Sequence, residues 1–155
     1  STDDLDLRHN YARMLVKAKR YDQALTEYEK VIAASPDDLD LLYSKALLEV
    51  ELKHYDKARI SLKQLLQSPH HRSEAVYYLG RVNEEQKNYE EAIGWYSKIH
   101  EGEYYFEAQS RVAEMLASLG DLPAAREHLA RVRNRIDNEA LQIRLYLSEG
   151  HLLTE

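Results

Sequence analysis

A chain of 155 residues carrying a net charge of −6 and no cysteine excludes several classes of function at once. Hydrophobic residues make up 44% and charged residues 31%, enough for a packed core and too apolar for a disordered chain. The acidic balance argues against broad attraction to nucleic acid or anionic membrane, and without Cys there are neither disulfides nor thiolate chemistry.

Five Gly and three Pro are few breakers for an all-β protein, so helices are favoured. No apolar run is long enough to span a bilayer and no signal-peptide pattern is present, so no direct membrane insertion is expected of this segment. The chain begins Ser1-Thr2-Asp3-Asp4 rather than with Met, and we expect it to be part of a longer protein.

The elements fall into four copies of one unit. Copy one, 5–38, has Tyr11 and Leu15 at helical spacing, the turn KRYDQA at 19–24, then Ala24, Tyr28 and Val31, and closes at Pro36. Copy two, 39–71, repeats the turn as KHYDKA at 53–58 and closes near Pro69. Copy three, 73–105, has KNYEEA at 87–92, so Tyr21, Tyr55 and Tyr89 fall 34 residues apart. Copy four, 106–139, reads GDLPAA at 120–125, with Leu122 where Tyr stood and Pro123 at the start of a helix, where its missing N–H costs little. Gln109, in the place of a large apolar residue, suggests an irregular join after Gly102.

A period of this length marks stacked supersecondary units. Each unit reads as two helical runs split by a short turn, that is, an antiparallel helix hairpin. Ala12, Ala46, Gly80 and Ala113 form a small-residue column, and Ala24, Ala58, Ala92 and Ala125 a second, where the helix backbones must approach closely. Tyr28, Leu62, Tyr96 and Leu129 form a large column, expected to fill the flanking space. Residues 140–153 read as one more helix, either a cap or the first helix of a fifth unit, with Leu141, Leu145, Ser148 and Leu152 on its stripe and Ile143, Leu147 and Leu153 outside it.

These columns resemble the tetratricopeptide repeat over about residues 5–139. The resemblance implies an all-α fold: a right-handed superhelix, or α-solenoid, of four helix hairpins plus a C-terminal helix, in a single array. It also implies a concave face lined by the first helix of each unit. Matched residue by residue, that face comprises His9, Asn10, Arg13 and Lys17 in copy one. Copy two contributes Tyr43, Ser44, Leu47 and Glu51; copy three Tyr77, Tyr78, Arg81 and Glu85; copy four Ser110, Arg111 and Glu114. Tyr43 and Tyr77, beside Arg13 and Arg81, stand out as anchors, because aromatic and arginine side chains dominate binding surfaces. The Lys/Asn carboxylate clamp of some relatives is absent: His9, Arg13, Leu47, Tyr77 and Arg81 stand in its places.

No motif announces catalysis: there is no phosphate loop, nucleophile elbow or H-E-x-x-H. His70-His71 has no acid or Cys spacing to support a metal and is expected in a solvated loop. Glu84-Glu85, Glu90-Glu91 and the arginines at 126, 131, 133 and 135 read as solvated helix faces. The expectation is therefore a non-catalytic scaffold without cofactor or metal, binding a protein or peptide and no nucleic acid. The alternative is self-association into a homo-oligomer through residues 140–153.

Residues 75–133 further resemble the repeat-built lipoproteins of Gram-negative bacteria that serve as adaptors for carboxy-terminal processing proteases. The resemblance rests on Y-L-G at 78–80, E-A-I-G-W-Y at 91–96, G-E-Y-Y at 102–105 and A-Q at 108–109. It implies a periplasmic adaptor attached to the outer membrane through upstream sequence. Otherwise a cytoplasmic location is expected.

Overall fold

The computed structural model describes the backbone of residues 2–154 and the side chains of 3–148. Eight helices and no strand occur among the described residues: α1 Thr2–Lys17, α2 Tyr21–Ala34, α3 Leu39–Glu51, α4 Tyr55–Leu65, α5 Arg72–Glu85, α6 Tyr89–Tyr96, α7 Tyr105–Ser118 and α8 Leu122–Thr154. None is long and apolar enough to cross a membrane. Consecutive pairs form the four expected hairpins. They group into two compact units that divide between Lys98 and Ile99. At this point α6 has ended after only eight residues and no helix resumes until Tyr105.

One backbone device makes all four hairpin turns. In the first, Arg20 N–H reaches the Leu15 carbonyl (2.8 Å) and Lys19 N–H the Val16 carbonyl (2.9 Å). The same pair recurs as His54 to Glu49 and Lys53 to Val50, as Asn88 to Asn83 and Lys87 to Glu84, and as Asp121 to Leu116 and Gly120 to Ala117. This is the Schellman closure, which needs a left-handed residue at the helix end. Lys19, Lys53 and Lys87 adopt it with φ of 60°, 61° and 64°, and Gly120 with 88°. Three turns thus hold a lysine where glycine is the unstrained choice.

In the first unit, α1, α2 and α3 enclose a cluster of Ala12, Leu15, Ala24, Leu25, Tyr28, Val31, Leu41 and Leu48. Next to it Ala46, Ala58, Leu62, Leu65, Ala75, Leu79 and Val82 pack α3, α4 and α5 together. The alanines of both small columns are buried. Gly80 is the tightest point: a Cβ added there would sit 2.5 Å from Cε1 of Tyr96.

Two core expectations are corrected in the second unit. Leu129 continues the large column in sequence but is 47% exposed, whereas Tyr28, Leu62 and Tyr96 are buried. In the first unit the helix of the following hairpin covers that position, as α5 covers Leu62; no following hairpin is present among the described residues. The supposed separate helix at 140–153 is the continuation of α8. No Gly or Pro lies between Ala124 and Ser148 to end it, and one helix runs unbroken from Leu122 to Thr154 through the expected boundary at 139/140. At 1.5 Å per residue α8 is about 50 Å long against about 21 Å for α7, so its distal half outruns its partner. Leu141, Ile143, Leu145, Tyr146 and Leu147 are accordingly all exposed; Leu152 and Leu153 lie outside the described side chains.

Gln109 is buried and donates from Nε2 to the Ile99 carbonyl (2.8 Å). It satisfies the end of the irregular segment before α7 instead of filling an apolar socket.

Candidate functional site

The first unit carries a groove of about 450 Å³. Its walls come from the first helices of three successive hairpins: Val16 of α1, Ser44, Leu47 and Glu51 of α3, and Tyr78, Arg81 and Glu85 of α5. The floor is closed by Tyr21 and Tyr28 of α2 with Leu48 and Val50, and Lys53 reaches in from the second turn. The hairpin repeat explains this placement, since α3 and α5 present equivalent residues to it, Ser44 with Tyr78, Leu47 with Arg81 and Glu51 with Glu85, while α1 adds Val16 and α2 closes the back.

The polar rim is wired together. Arg81 donates to Oε1 of Glu85 (3.2 Å), one turn on along α5. Tyr55, at the start of α4, donates its phenol to the other oxygen, Oε2 (2.9 Å). Partial burial, followed by that bond and the charge of Glu85, raises the Tyr55 phenol above its ordinary pKa. Arg81 also lies 5.9 Å from the centre of the Tyr78 ring. The groove therefore offers apolar contacts from Val16, Leu47 and Tyr78 beside a guanidinium already oriented by a carboxylate.

Of the residues proposed from sequence, the structure brings together Leu47, Tyr78 and Arg81, with Ser44, Glu51 and Glu85. His9 lies near the groove, its ring meeting Tyr28 edge-on at 5.7 Å. Asn10, Arg13 and Lys17 are exposed on α1 but do not line it. Arg111 belongs to the second unit, where it pairs with Glu107 (3.3 Å).

The two favoured tyrosines are corrected. Tyr77 is 3% exposed and packs in the core against Tyr96 and Tyr78, with ring centres 6.0 and 5.2 Å away. Successive residues of a helix point about 100° apart, and the rotation of α5 turns Tyr78, not Tyr77, to the groove. Tyr43 is half-buried and stacked on His71 at 4.8 Å. His71 itself is buried rather than solvated and bonds Oδ1 of Asp40 through Nε2 (2.6 Å).

Sequence reasoning missed Val16, Tyr21, Tyr28 and Lys53. Tyr28 was assigned to packing and Tyr21 to the recurring turn, and only the closed hairpin shows that both also line the groove.

The comparisons with known proteins agree with this architecture. Residues 15–81, which include most of the groove lining, match the family model of the tetratricopeptide repeat. No curated protein matches the sequence. Among solved structures, MamA residues 41 to the end from Desulfovibrio magneticus RS-1 superposes with a TM-score of 0.71 at 19% identity, covering 84% of this chain and 74% of that one. A double mutant of MamA RS-1 gives 0.73 at 19%, covering 90% and 79%. A further MamA crystal structure gives 0.70 at 21%, covering 83% and 70%. Family match and structural likeness together establish an all-α fold built from helix hairpins of tetratricopeptide-repeat type.

Proposed function

We propose that this chain is a non-catalytic protein-interaction scaffold that holds an extended segment of a partner in the groove between α1, α3 and α5. Leu47 and Tyr78 supply the apolar contacts, and Arg81 meets an acidic or carbonyl group of the ligand while keeping its bond to Glu85. The observation that carries the reading is the groove itself, walled by the first helices of three successive hairpins. Selection of displayed random peptides tests it. The parent chain should enrich a consensus with an apolar residue near an acidic one, and Leu47→Glu and Tyr78→Ala should each lose binding while keeping their helicity. Binding unchanged in both variants refutes the placement.

The resemblance of residues 75–133 to protease-adaptor lipoproteins supports a finer version, in which the partner is a periplasmic carboxy-terminal processing protease or its substrate. Co-purification of such a protease with the full-length protein, lost on Leu47→Glu, is the expected result; its absence from every eluate overturns this version alone.

A second reading, self-association, is favoured by one observation: five large apolar side chains between 141 and 147 stand exposed on the distal half of α8. Sedimentation over a range of concentrations should then show reversible association that Leu141→Glu with Leu145→Glu abolishes. A strict monomer removes it.

A further inference from the structure

Away from the groove, three potential metal ligands converge from two segments 30 residues apart. Asp40 stands in the first turn of α3, while His70 and His71 form the end of the turn that leads into α5. Their donor atoms all lie within 4.8 Å of one another. The His71 Nε2 to Asp40 Oδ1 distance is 2.6 Å, and the two imidazole rings sit edge-to-face with centres 4.9 Å apart.

The surroundings divide into a fixed and an open side. His71 is buried and held by the Tyr43 ring stacked on it, and its backbone is tied at both ends, by N–H to the Ser68 carbonyl (3.1 Å) and by its carbonyl to Ala75 N–H (3.0 Å). The Asp40 carboxylate is 79% exposed and His70 is exposed as well. One rigid ligand with two on the solvent side leaves the inner face shaped and the outer face open.

We infer that Asp40, His70 and His71 bind a zinc ion. Two neutral imidazoles and one carboxylate are a borderline-soft donor set suited to Zn²⁺, and three protein ligands leave a fourth tetrahedral position for water. Bonds of about 2.0–2.1 Å at tetrahedral angles put ligand atoms about 3.3 Å apart. Asp40 must therefore withdraw by less than an ångström from His71, which its exposure permits, and His70 must close in through side-chain rotation. Ligation through Nε2 requires the neutral His71 tautomer that carries its proton on Nδ1, so Nε2 gives up the proton it shares with Asp40 and Nδ1 holds one as the metal enters. The bound ion staples the first turn of α3 to the entry of α5 and fixes Tyr43 between them. It would thereby stiffen two of the three helices that wall the groove.

The pattern was hidden in the sequence because its carboxylate lies 30 residues before the first histidine, one repeat unit away. Stacking of successive hairpins brings the two together.

The test uses the untagged full chain, freed of metal by chelator and titrated with Zn²⁺ by calorimetry and with Co²⁺ as an optical probe. One Zn²⁺ per chain is expected, with the intense visible absorption of four-coordinate Co²⁺ and a melting temperature that rises with Zn²⁺ concentration. His70→Ala and Asp40→Asn, both at exposed positions, should each weaken Zn²⁺ binding at least tenfold with unchanged helical circular dichroism. Zn²⁺ affinity in the double variant equal to that of the parent overturns the assignment. So does a Co²⁺ spectrum showing only the weak bands of a six-coordinate ion.

Discussion

Gly80→Ala isolates the packing logic of the repeat at a single atom. In three of four copies the first small column holds alanine; only the third holds glycine, opposite Tyr96. A methyl on Gly80 would lie 2.5, 2.6 and 2.9 Å from Cε1, Cδ1 and Cζ of that ring, each distance far inside van der Waals contact. Tyr96 cannot readily yield, since it is wholly buried and its phenol donates to Oε1 of Glu84 (3.0 Å). Helix propensity alone favours the substitution by about 1 kcal/mol, whereas overpacking a filled core costs about 1–3 kcal/mol, and the rigid, hydrogen-bonded ring puts this site at the upper end. The net expectation is a loss of about 1–2 kcal/mol, read as a lowered urea midpoint by circular dichroism and a melting temperature down by about 2–8 °C. The second copy supplies the control, because Ala46 and Leu62 occupy the corresponding places with both side chains fully buried. In a Tyr96→Leu background, Gly80→Ala should therefore be neutral or stabilising, a coupling visible in the double-mutant cycle. A Gly80→Ala protein as stable as the parent, or one equally destabilised with and without Tyr96, would refute the reasoning.

Lys87→Gly at the third turn relieves a left-handed conformation costing about 1–2 kcal/mol and loses about 0.5–1 kcal/mol to unfolded-chain entropy. The urea midpoint should hold or rise, by at most about 1.5 kcal/mol in stability. Ser61→Ala removes the hydroxyl that donates to Oε1 of the buried Glu49 at 2.6 Å; equilibrium unfolding should show a loss of about 1–3 kcal/mol. His128 is held below its ordinary pKa of 6.5, first by burial and then by the charge of Arg131. A lowered value in the folded state means that protonation favours unfolding. Its contribution is therefore intact above pH 6.5 and is lost as pH falls through the folded value. Plotting the urea midpoint against pH should show a decline on the acid side that His128→Gln flattens; identical slopes in both proteins would remove His128 as the cause.

How much was legible in advance depended on the range of the interaction responsible. The hairpins, their turns and both alanine columns follow from local helical periodicity and a recurring Schellman closure, which are set within a dozen residues. The breaker-free continuity of α8 was equally open to view, but the pull of the repeat count put a boundary there. Leu47 and Arg81 both line the groove because the repeat puts equivalent residues of α3 and α5 on the same face. Tyr77 and Tyr78 were not separable, because neighbours on one turn differ by only about 100° of rotation, and packing of α5 on α6 selects between them.

The amino-acid order by itself thus determined that helices form, where they turn back, and which small residues let them touch. Those features answer to spacing along the chain. Tertiary structure alone decided which tyrosine enters the groove, that Leu129 stays uncovered, and that Asp40 meets His70 and His71. In each case the deciding contact comes from a helix or loop supplied by another part of the fold, and the burial it confers has no trace in the local sequence.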